Sequence, residues 1–158
     1  GLGSVEEIVI VGGRVYAVAL WGAPWLVEID LEAHRAARSR FAGDFNWGLA
    51  WAPGTDLLAV PRFLERRLDL YDRATLEPRG RLRGEFGGRP VLFDPLRQAF
   101  LVAGTFSGRL RAVGLDGRSS VLPVGGLVRS LVLHQDRLYF GGRCGVGSVD
   151  LGAWLGGP

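Results

Sequence analysis

An apolar hairpin unit recurring about every 41 residues, strands that alternate by two, and 25 glycines with 8 prolines predict an all-β chain. These features specify a β-propeller of four antiparallel blades, either a small ring or half of a larger, eight-bladed one. The repeat is visible in the chain itself. The segment from Val5 to Tyr16 aligns without gaps on the segment from Val128 to Tyr139, an offset of 123 residues, or three units of 41. Two intermediate copies run from Trp47 to Leu58 and from Arg89 to Phe100. Each copy is an apolar run, a turn rich in Gly, Pro, Asp or Gln, and a second apolar run, which is the pattern of a β-hairpin.

A third strand with period-two alternation succeeds each hairpin, over 26–31, 67–72, 109–113 and 146–151. Each closes at or near an aspartate, Asp30, Asp72, Asp116 or Asp150, expected to cap the next turn. More polar fourth strands are expected over 36–41, 78–82 and 119–123, and none in the last copy. The chain then divides into a single domain of four blades, about 5–44, 45–86, 87–126 and 127–151, with 152–158 as a tail. The most continuously apolar runs, Ile8–Val11, Leu49–Ala52, Val91–Asp94 and Leu131–His134, are expected to be the innermost strands, packed on both faces. Helical repeats would need a 3.6-residue stripe, and only residues 31–40 could pass for one. A β-sandwich would supply strands without the 41-residue echo.

The second copy carries a resemblance. Asn46-Trp-Gly-Leu-Ala-Trp-Ala-Pro-Gly-Thr-Asp-Leu-Leu-Ala-Val60, continued by Arg67-Leu-Asp-Leu-Tyr-Asp-Arg-Ala-Thr-Leu76, resembles YVTN-type β-propeller repeats. Ala52-Pro53-Gly54 stands at that family's Pro-Asp-Gly-like turn, and Tyr71 to Thr75 at its Ile-Asp-x-x-Thr close. The naming tetrapeptide is degraded in every copy, and the Gly-His and Trp-Asp marks of WD40 repeats are absent. The resemblance implies a propeller and no particular activity, because propellers host many functions.

Composition narrows the function classes. Charged residues are 22% of the 158-residue chain and hydrophobic residues 47%, proportions of a folded domain and not of a disordered one. The formal charge is +3, and all 19 basic residues are arginine. No block of them stands free of acidic neighbours, so no nucleic-acid footprint is expected. No apolar run is long enough for a membrane helix, so no membrane contact by this segment is expected. The single cysteine, Cys144, cannot form an intrachain disulfide. With no methionine and an opening of Gly1-Leu2-Gly3-Ser4, the chain reads as a piece of a larger bacterial protein, extracytoplasmic or membrane-attached.

Catalytic and metal-binding patterns are weak. His34 and His134 occupy non-equivalent repeat positions without a Cys or carboxylate at ligand spacing, so neither a metal nor a cofactor is expected. Cys144 beside Arg143 lacks a local histidine, and no Gly-x-Ser-x-Gly elbow or phosphate loop occurs.

In a propeller, however, the loops between second and third strands share one face with the links between blades. Mapped here, that face collects Trp21, Trp25, Arg62, Phe63, Arg66, Phe106 and Arg143 from the first set. Phe45, Trp47, Phe86 and Arg89 come from the second. Aromatic and arginine side chains on loops suit recognition, so Trp21, Trp25, Trp47, Arg62, Phe63, Arg66, Arg89, Phe106 and Arg143 are the candidate ligand-binding residues. The function expected is a non-catalytic binding or assembly module for a protein, peptide or anionic ligand. A propeller domain of an enzyme, lactonase-like or redox-type, and a purely structural oligomerisation element are the alternatives.

Arg62 and Arg89, as loop residues, are expected to matter little for stability, and Leu70 to be core. Trp51, Phe93 and Leu133 are expected to line the axis, where their bulk suits a ring wider than four blades. That width implies a homodimer completing eight blades, or flanking blades of the same protein.

Overall fold

The computed structural model describes residues 4–19, 25–43 and 45–156. Fifteen strands form four consecutive antiparallel sheets. Blade one comprises β1 (Val5–Val11), β2 (Arg14–Ala19), β3 (Trp25–Asp30) and β4 (Arg35–Phe41). Blade two comprises β5 (Ala50–Ala52), β6 (Leu57–Arg62), β7 (Arg67–Asp72) and β8 (Pro78–Arg83). Blade three comprises β9 (Gly88–Asp94), β10 (Ala99–Gly104), β11 (Arg109–Gly114) and β12 (Ser119–Pro123). Blade four has only β13 (Val128–His134), β14 (Arg137–Gly142) and β15 (Gly145–Asp150), and then the short helix α1 (Leu151–Leu155). Strand order within each sheet is sequential, the meander of a propeller blade.

Local chemistry explains the turns. The first hairpin of every blade places a residue in the left-handed region, with Gly13, Asp56, Gln98 and Gln135 at φ 77°, 51°, 49° and 53°. The aspartates closing the third strands cap the turns beyond them. Asp30 Oδ1 accepts from the Glu32 and Ala33 amides, Asp72 Oδ1 from the Thr75 amide and hydroxyl, and Asp116 Oδ1 from the Arg118 amide. Asp150 caps α1 through the Ala153 amide. Residues 31–40 form a turn and β4, not a helix.

Burial depends on the position of each strand in its blade. The second strands of the first three blades are sequestered on both faces: every residue of β10 is buried, as are Val15–Ala19 of β2 and Leu58–Arg62 of β6, whereas in β14 only Leu138 is buried. The fourth strands β4, β8 and β12 lie largely exposed at the outer edge. Between successive blades sit three apolar clusters. Tyr16, Val18 and Leu26 meet Leu58, Val60 and Tyr71. Ala59, Leu68 and Leu70 meet Phe93, Phe100 and Val102. Leu101, Leu110 and Ala112 meet Val128, Leu138 and Leu151. None of the three joins blade four to blade one, so among the described residues the blades form an open row.

The ends of that row are apolar and uncovered. Ile8 and Ile10 of β1 are 50% and 67% exposed, and Val132 of β13 and Val146 of β15 are 60% and 84% exposed.

Three expectations need correction. First strands do pack in series, β5 on β9 and β9 on β13, as innermost strands should. They are not sealed on both faces, however; that environment belongs to the second strands of the first three blades. Trp51, Phe93 and Leu133 turn into the clusters between blades and do not line an axis, so their bulk carries no information about ring size. The tail is not featureless either. Leu151 of α1 is buried, and Trp154 and Leu155 pack on the third cluster, because a blade lacking its fourth strand leaves apolar surface there.

Truncating Leu70 to alanine in the second cluster should cost about 2–5 kcal/mol of unfolding free energy. Val121→Ala on the exposed fourth strand should cost no more than about 0.5 kcal/mol. Urea titrations of the two variants check the contrast, and equal midpoints would contradict it.

Candidate functional site

The links between blades and the loops between second and third strands meet on one face through a backbone relay. The Gly87 amide in the β8–β9 link donates to the Phe63 carbonyl in the β6–β7 loop at 2.7 Å. The Thr105 amide in the β10–β11 loop donates to the Gly87 carbonyl at 2.8 Å, and the Thr105 hydroxyl donates to the Val128 carbonyl at 2.9 Å. Gly87 has φ 70°, and a Cβ there would fall 2.8 Å from the Phe106 backbone nitrogen. Only glycine allows the loops so close. In the β4–β5 link, the fully buried Asn46 donates through Nδ2 to the Ala42 and Gly43 carbonyls at 2.6 and 2.9 Å, fixing the segment that carries Phe45 and Trp47.

The relay aligns five rings from four loops and links into a continuous row. Centroid separations are 6.0 Å for Phe45–Trp47, 4.1 Å for Trp47–Phe63, 5.1 Å for Phe63–Phe106 and 5.9 Å for Phe106–Phe86. The first three contacts are edge-to-face, the geometry favoured by ring quadrupoles. Phe63 is buried at the centre, whereas Phe45 and Phe106 are 50% and 59% exposed. The Arg89 guanidinium sits 5.9 Å from the Trp47 ring centre, and that of Arg66 sits 5.6 Å from the Phe86 ring centre. Arg89 also approaches Glu6 of β1 at 3.9 Å.

Of the candidate ligand-binding residues, the fold thus brings together Trp47, Phe63, Arg66, Arg89 and Phe106, with Phe45 and Phe86 from the link set completing the row. Others lie elsewhere. Trp21 is outside the described residues. Trp25 pairs with Phe41 at 6.1 Å, apart from the row. Arg143 is exposed on blade four, beside Arg129. Cys144 is exposed, His34 sits in a turn and His134 on β13. Among the described residues, no three His, Cys, Asp or Glu side chains cluster in a way that could hold a metal ion.

Arg62 is the clear correction. It is 7% exposed, and its guanidinium donates to the Ala42 carbonyl and to Glu65, with Asp69 at 3.7 Å. It ties the β4–β5 link to blade two from within and presents nothing to a ligand. Its hydrogen bond to Glu65 holds that carboxyl below its ordinary value of 4.5, against the opposing effect of burial.

Sequence reasoning passed over a second feature. Beside Phe86 the surface sinks into a cavity of about 280 Å³ between blades two and three. Its floor is the buried Glu85–Arg111 pair. Arg111 donates Nε and Nη2 to Glu85 Oε1 at 2.8 and 2.7 Å, and the Ser107 hydroxyl donates to Oε2 at 3.1 Å. The only hint in sequence is the arginine-dense run Arg79–Arg83 on a fourth strand.

Arg62→Ala should lower stability by about 3 kcal/mol, since it strands buried partners, while Arg89→Ala should stay within about 0.5 kcal/mol. A depressed carboxyl pKa stabilises the fold fully above its unfolded-state value, and that contribution fades as pH falls through the lower folded value. The penalty of Arg62→Ala should therefore shrink between pH 7 and pH 3, as read from urea midpoints at both.

No family model matches the chain, and no curated protein matches it. Solved structures do. The chain is similar to hydrazine synthase of Kuenenia stuttgartiensis, with a TM-score of 0.80 at 12% identity, covering 94% of this chain and 46% of that one. It is similar to the dihydro-heme d1 dehydrogenase NirN, solved in complex with DHE, with a TM-score of 0.76 at 19% identity, covering 96% and 36%. It is also similar to the Pan2 WD40 domain of Neurospora crassa, with a TM-score of 0.77 at 11% identity, covering 95% and 49%. The chain spans less than half the length of each. At these identities the likeness speaks for architecture alone, and the architecture is that of a β-propeller, present here as four consecutive blades.

Proposed function

We propose that this chain is a non-catalytic recognition module, a propeller segment that binds a protein or peptide along the aromatic row of its loop face. The supporting observation is the row itself. Five rings from four separate loops and links make one strip, with a rigid buried centre, two half-exposed rings and an arginine at either side. Rigid aromatic surface gives up little entropy on binding, and arginine adds planar hydrogen bonding, which is why both dominate binding hot spots. Rings and guanidinium groups recognise surfaces but move no protons, so the strip favours binding over catalysis.

Panning a displayed peptide library on the purified chain tests the reading. Peptides selected on the wild type should lose at least tenfold in affinity when Phe45 and Phe106 are both changed to serine, with the thermal midpoint little altered. Equal binding to the double variant would remove the strip as the site.

A second role is favoured by the two uncovered ends. Ile8 and Ile10 at one end, and Val132 and Val146 at the other, are apolar surfaces of the kind that blades bury against neighbours elsewhere in the row. A second copy would place its blade one on blade four of the first, and the reverse, closing eight blades about a two-fold axis with two equivalent joints. Light scattering at tens of micromolar should then give twice the 17.1 kDa chain mass, and Ile10→Arg should return it to 17.1 kDa. A wild-type monomer would overturn the pairing.

A further inference from the structure

The cavity at the end of the aromatic row has walls of one charge. Arg66 comes from the β6–β7 loop, Arg83 from the end of β8 and Arg109 from the start of β11; all three are exposed and line it. The floor is electrically closed, because Glu85 is already satisfied by Arg111 and Ser107, and Arg111 Nη1 donates to the Ser119 hydroxyl at 3.0 Å. Most arginines among the described residues lie within 4 Å of a carboxylate, for example Arg14, Arg62, Arg67, Arg73 and Arg97. Arg66, Arg83 and Arg109 have no such partner among the described residues. Three uncompensated guanidinium groups drawn to one concavity repel each other, and an anion between them relieves that repulsion through charge-assisted hydrogen bonds.

Position and size narrow the ligand. Phe86 belongs to both features: its ring closes the aromatic row 5.9 Å from Phe106, carries Arg66 above it at 5.6 Å, and lines the cavity. A cavity of about 280 Å³ lies just below the size of ordinary small-molecule sites, roughly 300–1,000 Å³. It suits one side chain, not a cofactor. We infer that this cavity is an acidic subsite of the recognition strip, receiving the carboxylate of an Asp or Glu that flanks the apolar residues of a peptide bound along the row. The inference rests on the strip being a peptide-binding surface, and it adds the charge of the peptide and the residues that read it.

The experiment has two arms. In the first, the arginine side-chain Nε–Hε signals of the wild-type chain are monitored by NMR during titration with glutarate, with glutaramide as the neutral control and inorganic phosphate as the alternative anion. Arg66, Arg83 and Arg109 should shift saturably with glutarate and not with glutaramide, while the solvent-facing Arg118 drifts without saturating. In the second arm, peptides panned on the wild type should be enriched in Asp or Glu. They should lose tenfold or more in affinity on the Arg83→Gln, Arg109→Gln double variant, and lose more of their affinity in 0.5 M salt than that variant does.

Both substitutions fall on exposed positions, so an unchanged melt confirms an intact fold. Loss of binding on the Phe45, Phe106 variant, but not on the arginine variant, would leave the strip standing and overturn the subsite. Saturation by phosphate alone would overturn it in favour of a phosphate-bearing ligand. Glutarate binding with no peptide dependence on either variant would remove the strip and with it this inference.

Discussion

A strand such as β10, whose six residues are all buried, has no face it can turn to water. That single constraint organises the molecule. An ordinary half-exposed sheet alternates apolar and polar residues, but the middle of each of the first three blades is covered on both sides. Blades therefore stack face to face, with an apolar cluster at each of the three joints between them. Once stacked, each meander leaves its fourth strand at the outer edge, which is why β4, β8 and β12 can be rich in arginine and serine. The same stacking brings the link from one blade beside a loop of the next, and the aromatic row is built from that adjacency.

Arginine does two jobs in this chain, divided by burial. Arg62 and Arg111 are interior tethers. Each commits its planar array of donors to carbonyl or carboxylate oxygens that would otherwise be stranded, and each holds a link between blades to the body of a sheet. Arg66 and Arg109, a few residues from these tethers in sequence, and Arg83 on β8 keep their charge at the surface. A chain with no lysine uses one residue type for both scaffolding and potential.

Much of this was legible in the sequence. The repeat placed the first, third and fourth strands to within a few residues, and 67–72 and 119–123 coincide with β7 and β12. The aspartate caps and the shared loop face come from local chemistry and the geometry of a meander. The features that escaped were decided by distant partners. Pro61-Arg62-Phe63 reads as the rim of a strand, and nothing nearby announces that the Ala42 carbonyl, twenty residues upstream, waits for Arg62 inside. Continuous apolarity in Ile8–Val11 or Leu131–His134 says that a strand packs, but not whether a neighbouring blade is there to cover its second face. Helix α1 is too short to display a period, and Trp154 finds its place against a cluster built from blades three and four. Arg83 and Arg109 sit on different strands, so their convergence is a property of the blade-to-blade joint and has no local signature.

Three separate clusters joining four blades in line also determine how the molecule comes apart. Blades two and three are each held by two joints, and blades one and four by one apiece. Stability in such an array adds up joint by joint, like a short zipper whose end teeth open first. Amide hydrogens of β6 and β10 are therefore expected to exchange most slowly, and those of β1 and β15 fastest. The arginine cavity lies at the joint between blades two and three, and the aromatic row runs from the link between blades one and two across to blade three. The proposed recognition surface is thus mounted toward the middle of the array, away from the two blades held by a single joint.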